Sequence, residues 1–81
     1  MDKSEIRAAV LTTIKGIAPE IDENELQRDQ PLRDQVDLDS MDWLNVIIGF
    51  HARLRVDIPE ADYARLTTLD AIVDYFGAKL G

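Results

Sequence analysis

Ser40 carries a hydroxyl between two carboxylates, in the stretch Asp37-Leu38-Asp39-Ser40-Met41-Asp42-Trp43-Leu44-Asn45. Behind it the chain is polar and acidic, with Pro31 and little periodicity. Ahead of it an apolar run opens with helical spacing. Such a change of texture marks a helix N-terminus, where Asp or Ser can act as the cap. Ser40 is therefore expected in the first turn of a helix. A phosphate attached to its hydroxyl would meet free backbone N–H groups and the positive end of the helix dipole. Asp-Ser before an apolar run is also what an ordinary helix start looks like, so the rest of the chain must decide between the two readings.

Other chemistries fail on residue type or spacing. A hydrolytic serine needs a base beside it. The single histidine, His51, lies eleven residues further along the same expected helix, about 16 Å away at 1.5 Å per residue. It has no second ligand candidate nearby, so no metal site is expected. Read as a calcium loop, Asp37, Asp39 and Met41 would fill the first, third and fifth positions. Methionine cannot ligate calcium, the sixth position is Asp42 rather than glycine, and the twelfth is Ile48 rather than glutamate. No glycine-rich phosphate loop is present. The chain has no cysteine, which excludes disulfides, thiolate metal sites and a thiol nucleophile. The residues describe a domain that presents one serine and has no catalytic machinery of its own.

With 81 residues, 46% of them hydrophobic and 31% charged, the composition is that of a small globular domain. The N-terminus lacks the apolar core of a signal peptide, and the run Val46-Ile47-Ile48-Gly49-Phe50 is too short to span a bilayer. A cytoplasmic monomer without membrane insertion is expected. The net charge of −7 argues against nucleic-acid binding. Glu20 to Asp42 holds nine acids against Arg28 and Arg33, while the remainder is neutral in sum. All the excess negative charge thus leads up to and surrounds Ser40, as a solvated loop or as a docking surface for basic partners.

The elements that must position Ser40 follow from periodicity. Ile6, Val10, Ile14 and Ile17 lie on one helical face, widened by Leu11, which predicts a first helix over about Lys3 to Lys15. Asp2 and Glu5 resemble a capping box at its start, and Gly16 followed by Pro19 should end it. A long connection from Ala18 to Asp39 would be pinned by Ile21, Leu26, Leu32, Val36 and Leu38. The next helix should run from Ser40 to Leu54, with Trp43, Ile47, Phe50 and Leu54 as its core face and Val46 at the flank. Met41, Leu44 and Ile48 form a second stripe, either a wider core face or a partner surface. Gly49 within that helix costs about 1 kcal/mol relative to Ala and implies close packing. Val56 to Pro59 reads as an extended link, Pro59 to Leu66 as a short helix, and Thr67 as the N-cap of a last helix carrying Leu69, Ile72, Val73, Phe76 and Leu80. The expected fold is all-α, a small four-helix bundle with three longer helices, one short one and a long loop between the first two.

In this arrangement the chain resembles the acyl carrier protein family over nearly its whole length. Asp39-Ser40-Met41-Asp42 is similar to the family's Asp-Ser-Leu-Asp attachment motif. Asp57-Ile58-Pro59-Glu60 is similar to the element between its second and third helices. Thr67-Thr68-Leu69 with Ile72, Val73 and Tyr75 is similar to its final helix, and Pro31-Leu32 before the motif fits as well. The resemblance implies one acyl carrier domain over residues 1–81. It implies a 4'-phosphopantetheine arm attached covalently to Ser40 by a magnesium-dependent phosphopantetheinyl transferase, with Asp39 recognised by that transferase. It implies partner contacts through Met41, Asp42, Leu44, Asn45 and Ile48, with an acyl- or aminoacyl-loading ligase and with acyl-processing enzymes. The thiol of the arm would supply the sulfur that the chain lacks.

The chain also departs from the family pattern. Asp37 stands where glycine is frequent, Met41 replaces leucine as it does in D-alanyl carriers, and Asn45 takes a position often held by glutamate. The second half of the helix reads His51-Ala52-Arg53-Leu54-Arg55 where fatty-acid carriers often have acids. These departures point to a specialised lipid or secondary-metabolite pathway rather than general fatty-acid synthesis. An aminoacyl or D-alanyl carrier is one alternative, and an acidic interaction module with unmodified Ser40 is another.

Overall fold

The computed structural model describes residues 2–80. Four α-helices follow in the order α1 (Lys3–Ile17), α2 (Leu32–Gln35), α3 (Ser40–Leu54) and α4 (Leu69–Leu80), with a 3-10 helix (Glu60–Arg65) between the last two. No strand occurs among the described residues; the nearest thing to one is an isolated bridge between Pro31 and Thr68.

The three long helices form because each carries an apolar stripe that the others cover. Ile6, Val10 and Ile14 of α1, Val46 and Phe50 of α3, and Leu69, Ile72 and Phe76 of α4 are completely buried. Phe50 and Phe76 meet edge to face at 5.5 Å between ring centroids, the geometry that aromatic quadrupoles favour. Trp43 is only half-buried and leans on the rim of this core rather than inside it.

The expected boundaries hold for α3 and need correction elsewhere. Asp2 caps α1 by accepting a hydrogen bond from Glu5 N at 2.8 Å. Gly16 does not end α1, because it keeps helical angles and no glycine among the described residues has a positive φ. The stop comes from Pro19, which disfavours helical angles at the preceding residue; Ala18 accordingly has ψ 78° while its N–H still reaches Ile14 O. The N-cap of α4 is Thr68 rather than Thr67, since Thr68 Oγ1 accepts from Ala71 N at 3.0 Å. Thr67 has another task, accepting from Leu32 N through its carbonyl at 2.9 Å.

That bond explains the long connection. Where the sequence predicts only a loop it contains one helical turn, α2, and it is fastened to the start of α4. Arg28 O accepts from Asp70 N at 3.0 Å beside the Leu32–Thr67 bond. Within the connection, Gln35 Oε1 accepts from Gln27 N, and its Nε2 donates to the carbonyls of Gln27 and Gln30. Leu32, Val36 and Leu38 are buried, and Ile21 and Leu26 are half-buried against the same core. These five residues pin a segment whose acids face water.

The acids of this segment are gathered rather than spread. Glu20, Asp22, Glu25, Asp34 and Asp37 line one open cleft of about 650 Å³ with Ile21, Leu26 and Val36 beneath them. Like charges at such an exposed site repel, and salt screens the repulsion. Raising the ionic strength is therefore expected to raise the melting temperature. A melting curve indifferent to added salt would show that the acids do not load the fold.

Two further contacts join the helices. Tyr75, buried on α4, donates to Asp62 Oδ2 of the 3-10 helix at 2.7 Å, and Arg65 and Lys79 lie over its ring at 5.1 and 5.5 Å. Burial first, then the hydrogen bond to Asp62 and its charge, push the Tyr75 hydroxyl up to about 12, with the Arg65 charge opposing them. The second contact is between α1 and α3 at Gly49. A Cβ there would lie 2.6 Å from Thr13 Cγ2. Thr13 is held by its own hydroxyl, which donates to Ala9 O at 2.8 Å. Gly49→Ala gains about 1 kcal/mol of helix propensity, but overpacking costs about 1–3 kcal/mol, and a locked β-branched neighbour puts this case towards the upper end. The variant is expected to melt lower by about 4–8 °C per kcal/mol of net loss. Adding Thr13→Ser, which removes the offending methyl, should restore the loss. A Gly49→Ala protein that melts above the parent would contradict the close approach.

Candidate functional site

The start of α3 is built by alternation. Val36 and Leu38 point into the core while Asp37 and Asp39 face solvent. The extended segment is thus anchored on one side and offers acids on the other. Asp39 has extended angles, φ −81° and ψ −179°, and its Oδ1 accepts from Asp42 N at 2.8 Å. Its carbonyl accepts from Trp43 N at 2.9 Å, the first bond of the helical ladder. Asp39 is therefore the N-cap, and Ser40 is the first helical residue. Val46, Ile47, Phe50 and Leu54 are buried and hold α3 against the core, so this corner sits on a rigid element.

Ser40 is exposed, and its hydroxyl engages no hydrogen bond among the described residues. The N–H groups of Ser40 and Met41 come before the first possible helical acceptor and remain free. Free N–H groups and the helix dipole favour a negative group at this hydroxyl. An exposed, unengaged hydroxyl followed by free N–H groups fits a phosphodiester. His51 is committed at the other end of α3, with its Nδ1 3.0 Å from Val56 O. No cluster of three or more His, Asp or Glu residues that could hold a metal occurs among the described residues.

The second stripe of α3 faces outward. Met41 is 67% exposed, Leu44 39% and Ile48 56%, so these residues do not widen the core, and Asn45 is exposed beside them. Asp42 is partly covered, at the flank. Beyond Ile48 an apolar groove of about 380 Å³ opens between α3 and the following link, lined by Ile47, Ile48, His51, Asp57, Ile58, Pro59 and Tyr63. The groove escapes sequence reasoning because Ile58 and Tyr63 belong to segments too short for periodicity to read. No helix of the described residues is long and apolar enough to cross a membrane.

The bundle thus holds Ser40, exposed, at the capped start of α3. Residues 8–76 match the family described as phosphopantetheine attachment site. The chain is 28% identical over 78 residues to the acyl carrier protein of Thermotoga maritima, covering 93% of this chain and 96% of that protein. It is likewise 28% identical over 78 residues to the acyl carrier protein of Rubrobacter xylanophilus, covering 93% and 91%. Its fold matches the solution structure of a protein from Anaplasma phagocytophilum designated an acyl carrier protein. That match has a TM-score of 0.86 and 26% sequence identity, and covers all of this chain and 94% of the other. The chain belongs to the acyl carrier protein family, the non-catalytic carriers of phosphopantetheine.

Proposed function

We propose that Ser40 takes the 4'-phosphopantetheine arm and that residues 1–81 act as one acyl carrier domain of the cytoplasm, working as a monomer in a specialised lipid or secondary-metabolite pathway. The observation that carries this reading is the exposed Ser40 hydroxyl at the capped start of α3, beside an exposed apolar stripe. In the attachment step Ser40 Oγ bonds to the phosphorus next to the pantetheine of coenzyme A. The bond from that phosphorus to the rest of the diphosphate breaks, the nucleotide bisphosphate leaves, and the serine proton passes to a base of the transferase. Asp39 holds the helix start in place and is the acid that the transferase meets. When bound, the arm supplies a thiol that carries the acyl or aminoacyl group as a thioester.

Met41, Asp42, Leu44, Asn45 and Ile48 then form the face that partner enzymes touch. Exposed apolar side chains rimmed by polar ones suit a transient protein contact. Arg53 and Arg55 at the far end of α3 support a specialised set of partners. Met41, in the position after the serine, supports a second reading, a carrier of aminoacyl or D-alanyl groups. The deciding experiment is the intact mass of the protein purified from its own cell. An increase equal to one phosphopantetheine, plus any cargo, is expected, and the mass of the cargo separates acyl from aminoacyl. A protein found wholly unmodified would instead favour an interaction module with free Ser40.

A further inference from the structure

We propose that His51 is a positioning residue, which sets the apolar groove beside α3 through a hydrogen bond to the chain that forms its far wall. The chain reverses direction at the end of α3. Arg55 takes left-handed angles, φ 56° and ψ 40°, which are costly for a residue other than glycine. Its N–H bonds to His51 O at 2.8 Å. From the same residue the imidazole crosses the reversal, with Nδ1 3.0 Å from Val56 O. Among the described residues this is the one side-chain hydrogen bond from α3 to the Val56–Pro59 link. Val56 is buried and anchors the link below, while Ile58 and Pro59 form the wall of the groove opposite Ile47 and Ile48.

A carbonyl can only accept, so the bonded Nδ1 must carry a proton. In the neutral ring this selects the Nδ1–H tautomer and leaves Nε2 as a free acceptor. Asp57 Oδ1, 3.6 Å from the same nitrogen, adds a carboxylate on the link side of the ring. Removing the bond frees Ile58 to swing away from Ile48, and the groove changes width. Ile48 belongs both to this groove and to the exposed face of α3, so the position of the link decides how much apolar surface lies next to that face. The use of the face by a cargo or partner rests on the function proposed above, whereas the clasp itself does not.

The test is run on the full chain without the arm, so its failure is separate from failure of the carrier reading. At alkaline pH, nitrogen-15 NMR of the ring should show the proton on Nδ1. His51→Leu should speed amide exchange at Arg55 by about 2–10-fold, the scale of one net hydrogen bond, and should weaken the cross-relaxation between Ile58 and Ile48 methyls. His51→Asn places an amide N–H near the position of the imidazole Nδ1 and should hold both readings close to the parent. A ring protonated on Nε2 would overturn the proposal. So would a His51→Leu protein with unchanged exchange and methyl contacts, or an Asn variant that behaves like the Leu variant.

Discussion

Ser40→Ala, incubated with coenzyme A, magnesium and a broad-specificity phosphopantetheinyl transferase, is expected to keep its unmodified mass, while the parent gains one phosphopantetheine. The loss should be complete, because in the proposed attachment the hydroxyl oxygen is the bonded atom. The fold should hardly notice. Ser40 is the first helical residue and not the cap, and its hydroxyl engages nothing. The cost of a lost cap, about 0.5–2 kcal/mol, attaches to Asp39 instead. Alanine is also the better helix former, by a few tenths of a kcal/mol. Ser40→Ala should therefore melt within about a few degrees of the parent, whereas Asp39→Ala should melt lower and accept the arm more slowly. Label persisting on a folded Ser40→Ala protein would move the attachment site elsewhere.

The second large effect concerns partner choice. The protein bearing its arm is expected to be loaded by a general malonyl transferase of fatty-acid synthesis about one to two orders of magnitude more slowly than a typical fatty-acid carrier. Enzymes of that pathway are expected to present basic surfaces to an acidic helix. Here Asp42 and Arg53 lie eleven residues apart on α3, just over three full turns, and so on one flank, about 16 Å from each other. The flank changes sign along its length, and Arg55 is exposed just past its end. One exposed ion pair is worth only about 0–1 kcal/mol. Two or three lost together reach the stated range, at about 1.4 kcal/mol per tenfold. Repulsion in place of attraction further slows encounter. The double variant Arg53→Glu with Arg55→Glu should recover part of the deficit at low salt and less of it at high salt. Loading of the parent as fast as the typical carrier would remove the physical basis for a specialised role.

Much of the site was legible because its determinants are local. Asp39 caps and Ser40 begins α3, since an acid in extended conformation before a 3.6-residue apolar period dictates a helix start whatever lies around it. The same rule placed the buried stripe of α4 and the start of α1. Where two local signals competed, the choice needed the rest of the molecule. Thr67 and Thr68 are equally good caps by type, and the outcome depends on Leu32, which claims the Thr67 carbonyl. Gly16 could have stopped α1, yet it stays helical and Pro19 ends it.

Other features belong to the tertiary structure alone. Met41, Leu44 and Ile48 read equally as core or as surface, since periodicity assigns residues to one face of a helix without saying whether another element covers it. The fold covers the face of Ile47 and Phe50 with α1 and α4 and leaves the second stripe bare. The nine acids near Ser40 could be counted in the sequence, but only folding gathers five of them around one cleft. Gln35, Tyr75 and His51 gave no sign of their hydrogen bonds. Those bonds run to neighbours whose closeness depends on turns and loops, and side-chain type alone does not choose the partner. Sequence spacing thus determined which hydroxyl is offered and how its helix begins, because those interactions span four residues or fewer. The packing of distant segments decided what surrounds that hydroxyl, because burial and electrostatic repulsion depend on distance in space.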